Sequence, residues 1–474
     1  MIINLAYIAA CIFFIMGIKR LNKPDTARQG NLLSALGMLI AVVAVFFENE
    51  VVQSWNTDDW SRNGYLWVAL AILIGSVIGI VWSKKVKMTD MPQLVAIYNG
   101  FGGLASFFVA VSQFIFLHYI VSEAADAMAG LSIGLTIFTG AVTFSGSMLA
   151  WGKLSEKIPG RAIIFSGQKF LNLVLVLIAT AAIIIYMLPG IDIGIKTYAI
   201  ITLSAISLIF GLTLVLPIGG GDMPVVISLL NSLSGLAVAM AGFIISNTVL
   251  IVAGALVGAS GMILTLIMCK AMNRSIRNLL FSGFGAADAG SAKGQASEPK
   301  AISAEDAYLV LEAAQSVVFI PGYGMAVAQA QHVIKELAQK LEANGTEVNF
   351  AIHPVAGRMP GHMNVLLAEA DIPYEQLKTM DEMNPLMPTQ DVAIVIGAND
   401  VVNPAAETDS SSPIYGMPII KAHEAKTVFI LKRGEGRGFS GIENNLFSMP
   451  NALMIYADAK ATLSSLSKEF SNDQ

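Results

Sequence analysis

A turn in the C-terminal third of the chain has the residue types and spacing that a dinucleotide requires. It follows the β-rich string Ser316–Ile320 and matches the motif G-x-G-x-x-G at Gly322 and Gly324, with Val327 in place of the third glycine. Gly322 would allow a tight turn, and Gly324 would let the backbone approach a pyrophosphate. A helix is predicted to follow from Ala328 to Leu341, so that its N–H groups would face phosphate charge. This setting makes a nucleotide site the better interpretation of a motif that is weak by itself.

Two adjacent cations follow a later strand, and they suit a second phosphate group. The string Thr427–Leu431 ends in Lys432 and Arg433. These residues alone fit a solvated basic turn equally well, but the acidic balance of their domain favours the 2′-phosphate of NADP(H). The second strand, Val348–Ile352, ends in His353 where an Asp or Glu would hold a free ribose 2′-hydroxyl, and this also favours NADP.

Two more strand ends carry candidate residues. Arg358 lies in a glycine-containing turn after the second strand, and the string Val392–Ile396 leads into Gly397-Ala398-Asn399-Asp400. Since ligands of open α/β sheets bind beyond the carboxyl ends of the strands, all these residues are expected at one edge. The histidines of this half lack metal-ligand spacing and are interpreted as surface or turn residues: His332, His353, His362 and His423. No metal site and no Ser/His/Asp or Cys/His arrangement is predicted.

The composition separates the chain into two unlike halves. Of 474 residues, 55% are hydrophobic and 13% are charged, which is too apolar for an ordinary soluble protein. Residues 1–302 carry 18 Lys/Arg and 13 Asp/Glu, whereas residues 303–474 carry 11 and 21. The acidic second half argues against nucleic-acid binding. Cys11 and Cys269 lie in separate apolar runs and are interpreted as buried thiols, so no disulfide framework is predicted.

The first half is predicted to cross a membrane nine times, because it has nine apolar runs of roughly 20 residues. These runs lie at approximately 2–18, 32–48, 64–83, 93–117, 129–151, 169–189, 197–218, 224–245 and 248–269. If the soluble half is cytoplasmic, the inner loops hold 14 Lys/Arg and the outer loops hold two, Arg62 and Lys196. The positive-inside rule then places the N-terminus outside. No cations precede the first run, so it is predicted to be a retained helix and not a signal peptide.

Several polar residues lie at or near membrane depth: Asn99, Gln113, Ser147, Asn172, Asp222, Asn231, Ser232 and Ser234. Asn99, Ser147 and Asn231 lie inside apolar runs, where such groups usually bond a neighbouring helix. Asp222 lies at the mouth of a run, where a carboxylate must be paired or hydrated. Its place two residues before Pro224 also suits a helix cap, so a coupling role is one of two interpretations.

The predicted fold is a polytopic α-helical membrane domain joined to an α/β domain. Strands that alternate with helical patterns after residue 303 indicate a Rossmann-like parallel sheet with crossover helices. The predicted limits are 1–280 for the transmembrane domain, 281–302 for a flexible linker and 303–474 for an NADP(H)-binding domain.

The chain resembles the β subunits of bacterial proton-translocating NAD(P) transhydrogenases over essentially its whole length. The resemblance is carried by 321–331, 352–358, 360–370, 397–400, 220–226 and 268–274. It implies AB-specific hydride transfer from NADH to NADP⁺, coupled to inward proton flow across the bacterial inner membrane. It also implies α subunit partners, in one or two chains, that carry the NAD(H) domain and further membrane helices, in a dimer of the whole assembly.

The resemblance also assigns roles to residues. It places these residues at the bound NADP(H): Gly322, Tyr323, Gly324, Met325, Ala326, Val327, Arg358, Gly397, Ala398, Asn399, Asp400, Lys432, Arg433 and Gly434. Arg358 would contact phosphate, and Asp400 would lie near the nicotinamide and sense coupling. The implied proton pathway comprises Asn99, Ser147, Asp222 and Asn231. Asn99 stands where some members have a proton-handling histidine, and Phe439 stands where a Tyr is common.

Two other functions fit the two-part architecture. One is an ion transporter or channel whose soluble domain senses a dinucleotide, which would not require NADH. The other is an NADPH dehydrogenase that feeds a quinone, although no flavin or Fe–S site is visible in the sequence.

Hydride exchange between NADH and NADP⁺ is near balance, so driving it toward NADPH requires outside work. A membrane potential provides about 2.3 kcal/mol per charge per 100 mV for this work. Because protons would cross within the bilayer and the hydride would move in the soluble half, the link between the two processes is expected to be conformational.

Overall fold

The computed structural model describes residues 2–21, 24–48, 64–120, 127–160, 162–219, 222–273, 299–359, 361–412, 414–434 and 442–472. The chain forms two compact units. The first comprises Met1–Pro159, Ile164–Leu216 and Val226–Leu264, and the second comprises Gly160–Ile163, Pro217–Val225 and Thr265–Gln474. The domain limits at 280 and 302 stay predictions, because residues 274–298 lie outside the described ranges.

Nine helices of the described residues are long and apolar enough to span a membrane, which confirms the predicted number. They are α1 (Ile2–Leu21), α2 (Pro24–Phe46), α3 (Gly64–Lys85), α4 (Met91–Ile115), α5 (Ala127–Leu154), α6 (Gln168–Met187), α7 (Ile193–Val215), α8 (Met223–Ile244) and α9 (Thr248–Ala271). A π-helical turn, Phe116–Ile120, extends α4. In the bilayer these helices satisfy their own backbone hydrogen bonds, which is why apolar runs of this length become helices.

Two of these helices are much more buried than the others. Of the most apolar window of each helix, 61% is buried in α5 and 72% in α8, compared with none in α3. Glycines allow α8 and α9 to approach closely. A Cβ added at Gly235 would lie 2.2 Å from the backbone N of Gly258, and one at Gly254 would lie 2.4 Å from that of Ala239. These contacts are backbone to backbone, as is typical of helix pairs in membranes.

The second unit contains a seven-stranded sheet whose paired strands are all parallel. The strands are β1 (Lys300–Ala301), β2 (Ser316–Pro321), β3 (Glu347–Ile352), β4 (Leu377–Thr379), β5 (Val392–Ile396), β6 (Thr427–Lys432) and β7 (Ala452–Tyr456). The helices are α10 (Ala304–Glu312), α11 (Tyr323–Ala328), α12 (Gln331–Ala343), α13 (His362–Glu369), α14 (Met380–Met383), α15 (Ala405–Thr408) and α16 (Ala459–Asn472). The order β1-β7-β6-β5-β2-β3-β4 confirms a Rossmann-like sheet with one extra edge strand.

The central strands are buried on both faces, as parallel sheets require. In β2, Val317 to Ile320 are fully buried, and so is β5 along its whole length. The stacked rings of Phe319 and Phe350, 5.2 Å apart, join β2 to β3. The strand order changes direction between β2 and β5, so their carboxyl ends form the crevice in which such sheets bind ligands.

The four strands predicted from the sequence agree with the structure to within one residue at either end. The helix after the glycine turn differs from its prediction. It begins at Tyr323, directly after Gly322, and it ends where Gln329 adopts a left-handed backbone with φ of 51°. A second helix, α12, then begins at Gln331 and not at Ala328. The break turns the chain before the longer helix packs on the sheet.

Candidate nucleotide-binding site

The turns after β2 and β5 lock together through their glycines. Gly324 N donates to Gly397 O at 3.0 Å, and Gly322 N donates to Ile396 O at 2.8 Å. A Cβ at Gly324 would lie 2.6 Å from Gly397 Cα, and one at Gly397 would lie 2.3 Å from Gly324 Cα. Gly397 also has a φ of 64°, which disfavours a side chain. The motif glycines therefore hold two strand ends together. The backbone N–H groups of Gly322 and Gly324 donate to carbonyl groups at the carboxyl end of β5 and are already hydrogen-bonded within the protein.

The residues that follow these glycines divide between the core and the surface. Met325 and Ala326 are buried at 0% and 1% exposure, so their side chains pack inward. Val327 is 45% exposed and faces the cavity described below. Of the predicted run 322–327, Gly324 and Val327 thus reach the candidate site, and the buried pair supports the short helix α11.

A cavity of about 460 Å³ lies along the carboxyl ends of β2, β5, β6 and β7. It is lined by Gly324, Val327, Gly397, Leu431, Lys432, Arg433, Gly434, Ala457 and Ala459. The structure thus brings six of the predicted binding residues to one cavity. Its volume is in the range of small-molecule and cofactor sites. The two cations on its wall fit an anionic ligand.

The two cations at the carboxyl end of β6 have different surroundings. The Nζ atom of Lys432 lies 4.4 Å from the ring centroid of Phe447, a cation–π distance. Arg433 Nε lies 3.3 Å from Asp458 Oδ2, and both side chains are substantially exposed, at 62% and 44%. Sequence reasoning identified neither Phe447 nor Asp458 as a neighbour of the basic pair.

Arg358 belongs to a separate group of side chains at the start of α11 and α13. Its guanidinium carbon lies 4.3 Å from the ring centroid of Tyr323. Its backbone N donates to Nδ1 of His362 at 3.1 Å, and the His362 and Tyr323 rings are 6.2 Å apart. Arg358 and Tyr323 are thus brought together, but neither lines the cavity that Lys432 and Arg433 line. Their contact with a ligand stays a prediction.

An asparagine network holds the segment after β5. Asn399 Nδ2 lies 3.4 Å from Asp400 Oδ1, and Asn444 Nδ2 donates to Asn399 O at 2.9 Å and to its Oδ1 at 3.1 Å. Asn403 receives the backbone N–H of Asn445 at 3.3 Å. Ala398 is buried, at 9% exposure. Asn444, which the sequence motifs did not point to, therefore holds Asn399 in the middle of the predicted stretch 398–400.

Two histidines that were interpreted as surface or turn residues are buried, His353 in the turn after β3 and His362 at the first position of α13. His353 and His362 are each 1% exposed. His353 Nε2 lies 2.8 Å from Pro418 O, and its Nδ1 accepts the Val355 N–H at 3.2 Å, so Nε2 carries the proton in a neutral ring. Burial lowers the pKa of His353 to about 4, although the hydrogen bond to Pro418 raises it. Apolar surroundings outweigh that bond.

In the membrane unit, Asn99 connects three helices. Its Nδ2 donates to Ser147 Oγ at 3.2 Å, and its Oδ1 accepts from Ser234 Oγ at 2.5 Å. Ser147 is fully buried and Ser234 is 8% exposed. Two predicted pathway residues on α4 and α5 are therefore in contact, and Ser234 of α8 completes what we call the Asn99 triad. Ser234 was a polar residue at membrane depth in the sequence, but nothing in its spacing distinguished it.

The other predicted membrane residues lie along α8. Asp222 directly precedes Met223, the first residue of this helix, and its backbone N donates to Gly219 O at 3.1 Å. This place agrees with the capping interpretation and does not test a role in coupling. Asn231 is half-buried further along α8. Phe439, which stands in place of a Tyr, lies outside the described residues.

Comparison with known proteins agrees with this architecture. The family model "NAD(P) transhydrogenase beta subunit" matches residues 3–469. A Rhodospirillum rubrum protein named NAD(P) transhydrogenase subunit beta is 47% identical over 464 residues, which cover 96% of this chain and 96% of that protein. A protein of the same name from a strain of that organism gives the same values. The nine membrane helices, the nucleotide-type sheet and these matches lead to one conclusion: the chain belongs to the NAD(P) transhydrogenase beta-subunit family.

Proposed function

We propose that the C-terminal domain binds NADP(H) and that the membrane helices carry the proton path. A β subunit implies an α-subunit partner for this chain. We propose that this partner carries the NAD(H) domain and further membrane helices. The enzyme is then active only when both subunits are present. The observation that supports NADP(H) most directly is the cavity that runs from the β2–β5 glycines to Lys432 and Arg433.

The positions of these residues suggest how the nucleotide is oriented. In many Rossmann domains an acidic residue at the end of the second strand holds the adenosine ribose. Here that strand is β3, which ends before His353, and the cation pair lies on the other side of the switch point, at the carboxyl end of β6. We therefore place the 2′-phosphate of NADP(H) at β6, so that the dinucleotide extends from there toward the β2–β5 glycines.

The chain's own residues are proposed to position and gate the reaction. The bound nucleotide supplies or accepts the hydride, with AB stereospecificity as in the family. Lys432 and Arg433 hold the 2′-phosphate, and Arg358 contacts another phosphate. Asp400 lies in the asparagine-held segment after β5, where a change in its surroundings would alter nucleotide affinity. In this scheme no side chain of the domain acts as an acid or base on the hydride.

Proton flow must act on this site through a conformational change. One proton that crosses 100 mV releases about 2.3 kcal/mol, which corresponds to a roughly fifty-fold bias. To use it, the affinity for NADP(H) must differ between protonation states of the membrane domain. Asn99 cannot titrate, so it cannot be the group that takes up the proton. That group is assigned to another residue or to the membrane helices of the partner subunit.

The proposed location is the bacterial inner membrane, with the N-terminus outside and the C-terminal domain in the cytoplasm. The positive charges of the loops support this topology. The whole assembly is proposed to be a dimer surrounded by lipid. Membership in an enzyme family favours this function over a dinucleotide-sensing transporter or channel and over an NADPH dehydrogenase that feeds a quinone.

The cation pair provides the test of NADP(H) binding. In the complete assembly, the double variant Lys432→Ala/Arg433→Ala should weaken NADPH binding by about 100-fold or more, because each charged hydrogen bond contributes roughly 1.5–3 kcal/mol and two are lost. Titration of NADPH fluorescence on the purified assembly measures this change.

Lys426→Ala is the matched control. Lys426 lies just before β6, at its other end, 2.7 Å from Asp391, and its loss should leave NADPH affinity unchanged. If the double variant binds NADPH as tightly as the wild type, the 2′-phosphate is not held by this pair and the proposed orientation is wrong.

A further inference from the structure

The ion pair at the edge of the cavity involves a carboxylate that no step above has used. Asp458 lies between the end of β7 at Tyr456 and the start of α16 at Ala459. Its neighbours Ala457 and Ala459 both line the cavity, and its Oδ2 lies 3.3 Å from Arg433 Nε. A negative charge therefore lies beside one of the two cations assigned to the 2′-phosphate.

The geometry of α16 fixes this carboxylate. Asp458 Oδ1 accepts the Lys460 N–H at 3.0 Å, and Asp458 O accepts the Thr462 N–H at 2.9 Å. These are the bonds of a residue that caps the start of a helix. With Oδ1 engaged in the cap, Oδ2 is directed to Arg433. The carboxylate is thus held in place by backbone groups and does not depend on Arg433 for its position.

A structural explanation of the pair is an ordinary surface salt bridge beside a helix cap. Such pairs contribute little to stability, and the exposure of both side chains agrees with that class. The location argues for more than this. Arg433 follows Lys432 on the cavity wall, and Lys432 lies against the Phe447 ring, so the two cations are used differently.

We propose that Asp458 is a specificity-determining residue that competes with the 2′-phosphate of NADP(H) for Arg433. When the nucleotide binds, the phosphate takes the place of the carboxylate at the guanidinium, and the carboxylate remains nearby as a like charge. This lowers the affinity for NADP(H) and speeds its release, whereas a nucleotide without the 2′-phosphate leaves the ion pair intact. The inference rests on the proposed function, since it assumes that Arg433 holds this phosphate.

Removal of the charge tests the inference without loss of the cap. Asn and Ser are both good helix caps, so Asp458→Asn and Asp458→Ser keep an acceptor for Lys460 N. In the complete assembly, both should tighten NADPH binding by about two- to fivefold, which is the strength of an exposed ion pair. The dissociation rate of NADPH should fall by a similar factor, and the affinity of the same site for NADH should not change.

Glu424→Gln is the matched control. Glu424 forms an ion pair with Lys421 at 3.3 Å in a turn before β6, so its substitution removes the same charge away from the cavity. It should leave NADPH affinity unchanged. If Asp458→Asn and Asp458→Ser bind NADPH no more tightly than this control, Asp458 is only a helix cap and the inference is wrong.

The Arg433→Ala background separates this inference from the proposed function. There, Asp458→Asn should no longer tighten NADPH binding, because the cation for which the two anions compete is gone. If Arg433→Ala weakens NADPH binding but Asp458→Asn has no effect on the wild type, only the inference fails. If Arg433→Ala does not weaken NADPH binding, the 2′-phosphate assignment fails first. Persistence of the tightening in the Arg433→Ala background also contradicts competition for Arg433.

Discussion

His353 is the residue whose surroundings give the clearest dependence on pH. Its pKa is lowered to about 4 by burial, compared with 6.5 for an exposed histidine. The unfolded chain therefore binds a proton that the folded chain excludes, and stability is lost as the pH falls from 6.5 toward 4. Above pH 6.5 the ring is neutral in both states and contributes no pH dependence.

We expect the wild-type protein to lose about 2 kcal/mol of unfolding free energy between pH 7 and pH 5 through this group. His353→Gln keeps an N–H donor for Pro418 O but cannot titrate, so it should lack that component. Unfolding of the full-length chain, followed at both pH values, provides the comparison. Equal pH dependence in the two proteins would mean that His353 stays accessible to protons in the folded state.

Ser234 is the residue through which the Asn99 triad can be tested. Ser234→Ala removes the donor 2.5 Å from Asn99 Oδ1 and frees the amide to turn away from Ser147. Polar contacts between membrane helices contribute about 0.6–1.7 kcal/mol to helix association, so proton-coupled turnover should fall by about three- to twentyfold if turnover requires the contact. Proton uptake by vesicles that contain the complete assembly measures this.

The control for the triad is Ser260→Ala. Ser260 is exposed on α9 and bonds only Val257 O of its own helix among the contacts that the structure describes, at 3.0 Å. Its loss should leave proton uptake unchanged. Equal rates in both variants would show that the triad only packs the helices.

Single residues were predictable where a strand end specified their place. Gly324, Gly397, Lys432 and Arg433 meet at one cavity because the carboxyl ends of parallel strands lie side by side. Asn444 and Asp458 could not be predicted in the same way. They reach the site from later turns, and their contacts depend on the path of the loop and not on a local pattern.

At the scale of elements, the packing of α8 against α9 depends on the absence of side chains. Gly235→Ala would place a methyl group 2.2 Å from Gly258 N, in contact with rigid backbone. The two helices must then separate, and we expect a loss of about 1–3 kcal/mol, as for other overpacked interiors. The thermal unfolding temperature of the assembly in detergent measures the effect.

Gly79→Ala on α3 is the control for this substitution. No described atom lies within 4 Å of a Cβ at this position, and Ala is a better helix former than Gly. It should leave the unfolding temperature unchanged or raise it slightly. A similar loss in both variants would mean that the close contact between α8 and α9 at Gly235 is not what makes the substitution destabilising.

The first and last residues of an element could be predicted from the sequence where the element coincides with an apolar run. The limits of β5 were predicted to the residue, because a strand buried on both faces reads as an unbroken apolar run. The break between α11 and α12 was not predicted. Gln329 adopts a left-handed backbone that a Gly or Asn would have signalled, and the packing of Met325 and Ala326 maintains it.

In the complete assembly, coupling to protons implies a measurable shift in the hydride-transfer equilibrium. If one proton crosses per hydride, each unit of imposed pH difference should change the ratio of NADPH to NADP⁺, at a fixed NADH/NAD⁺ ratio, by about tenfold. Vesicles with the complete assembly and a clamped pH difference allow this ratio to be read by absorbance. An uncoupler should return the NADPH/NADP⁺ ratio to its value in the absence of a pH difference.

A ratio that does not respond to the pH difference would contradict coupling, even if hydride transfer continued. The two-part architecture was readable from composition, because apolar spans and an acidic α/β pattern do not overlap in the sequence. The proposed effect of proton movement on nucleotide affinity was not readable, since no local sequence pattern specifies a conformational change.

The short edge strand β1 has a mechanical consequence. Lys300 and Ala301 pair with Leu453 and Met454, and Ile302 N donates to Met454 O at 2.9 Å. A pull on Lys300 would therefore be transmitted to β7 through only a few hydrogen bonds. Since β7 leads directly to Asp458, a shift of this edge of the sheet would move the carboxylate that pairs with Arg433.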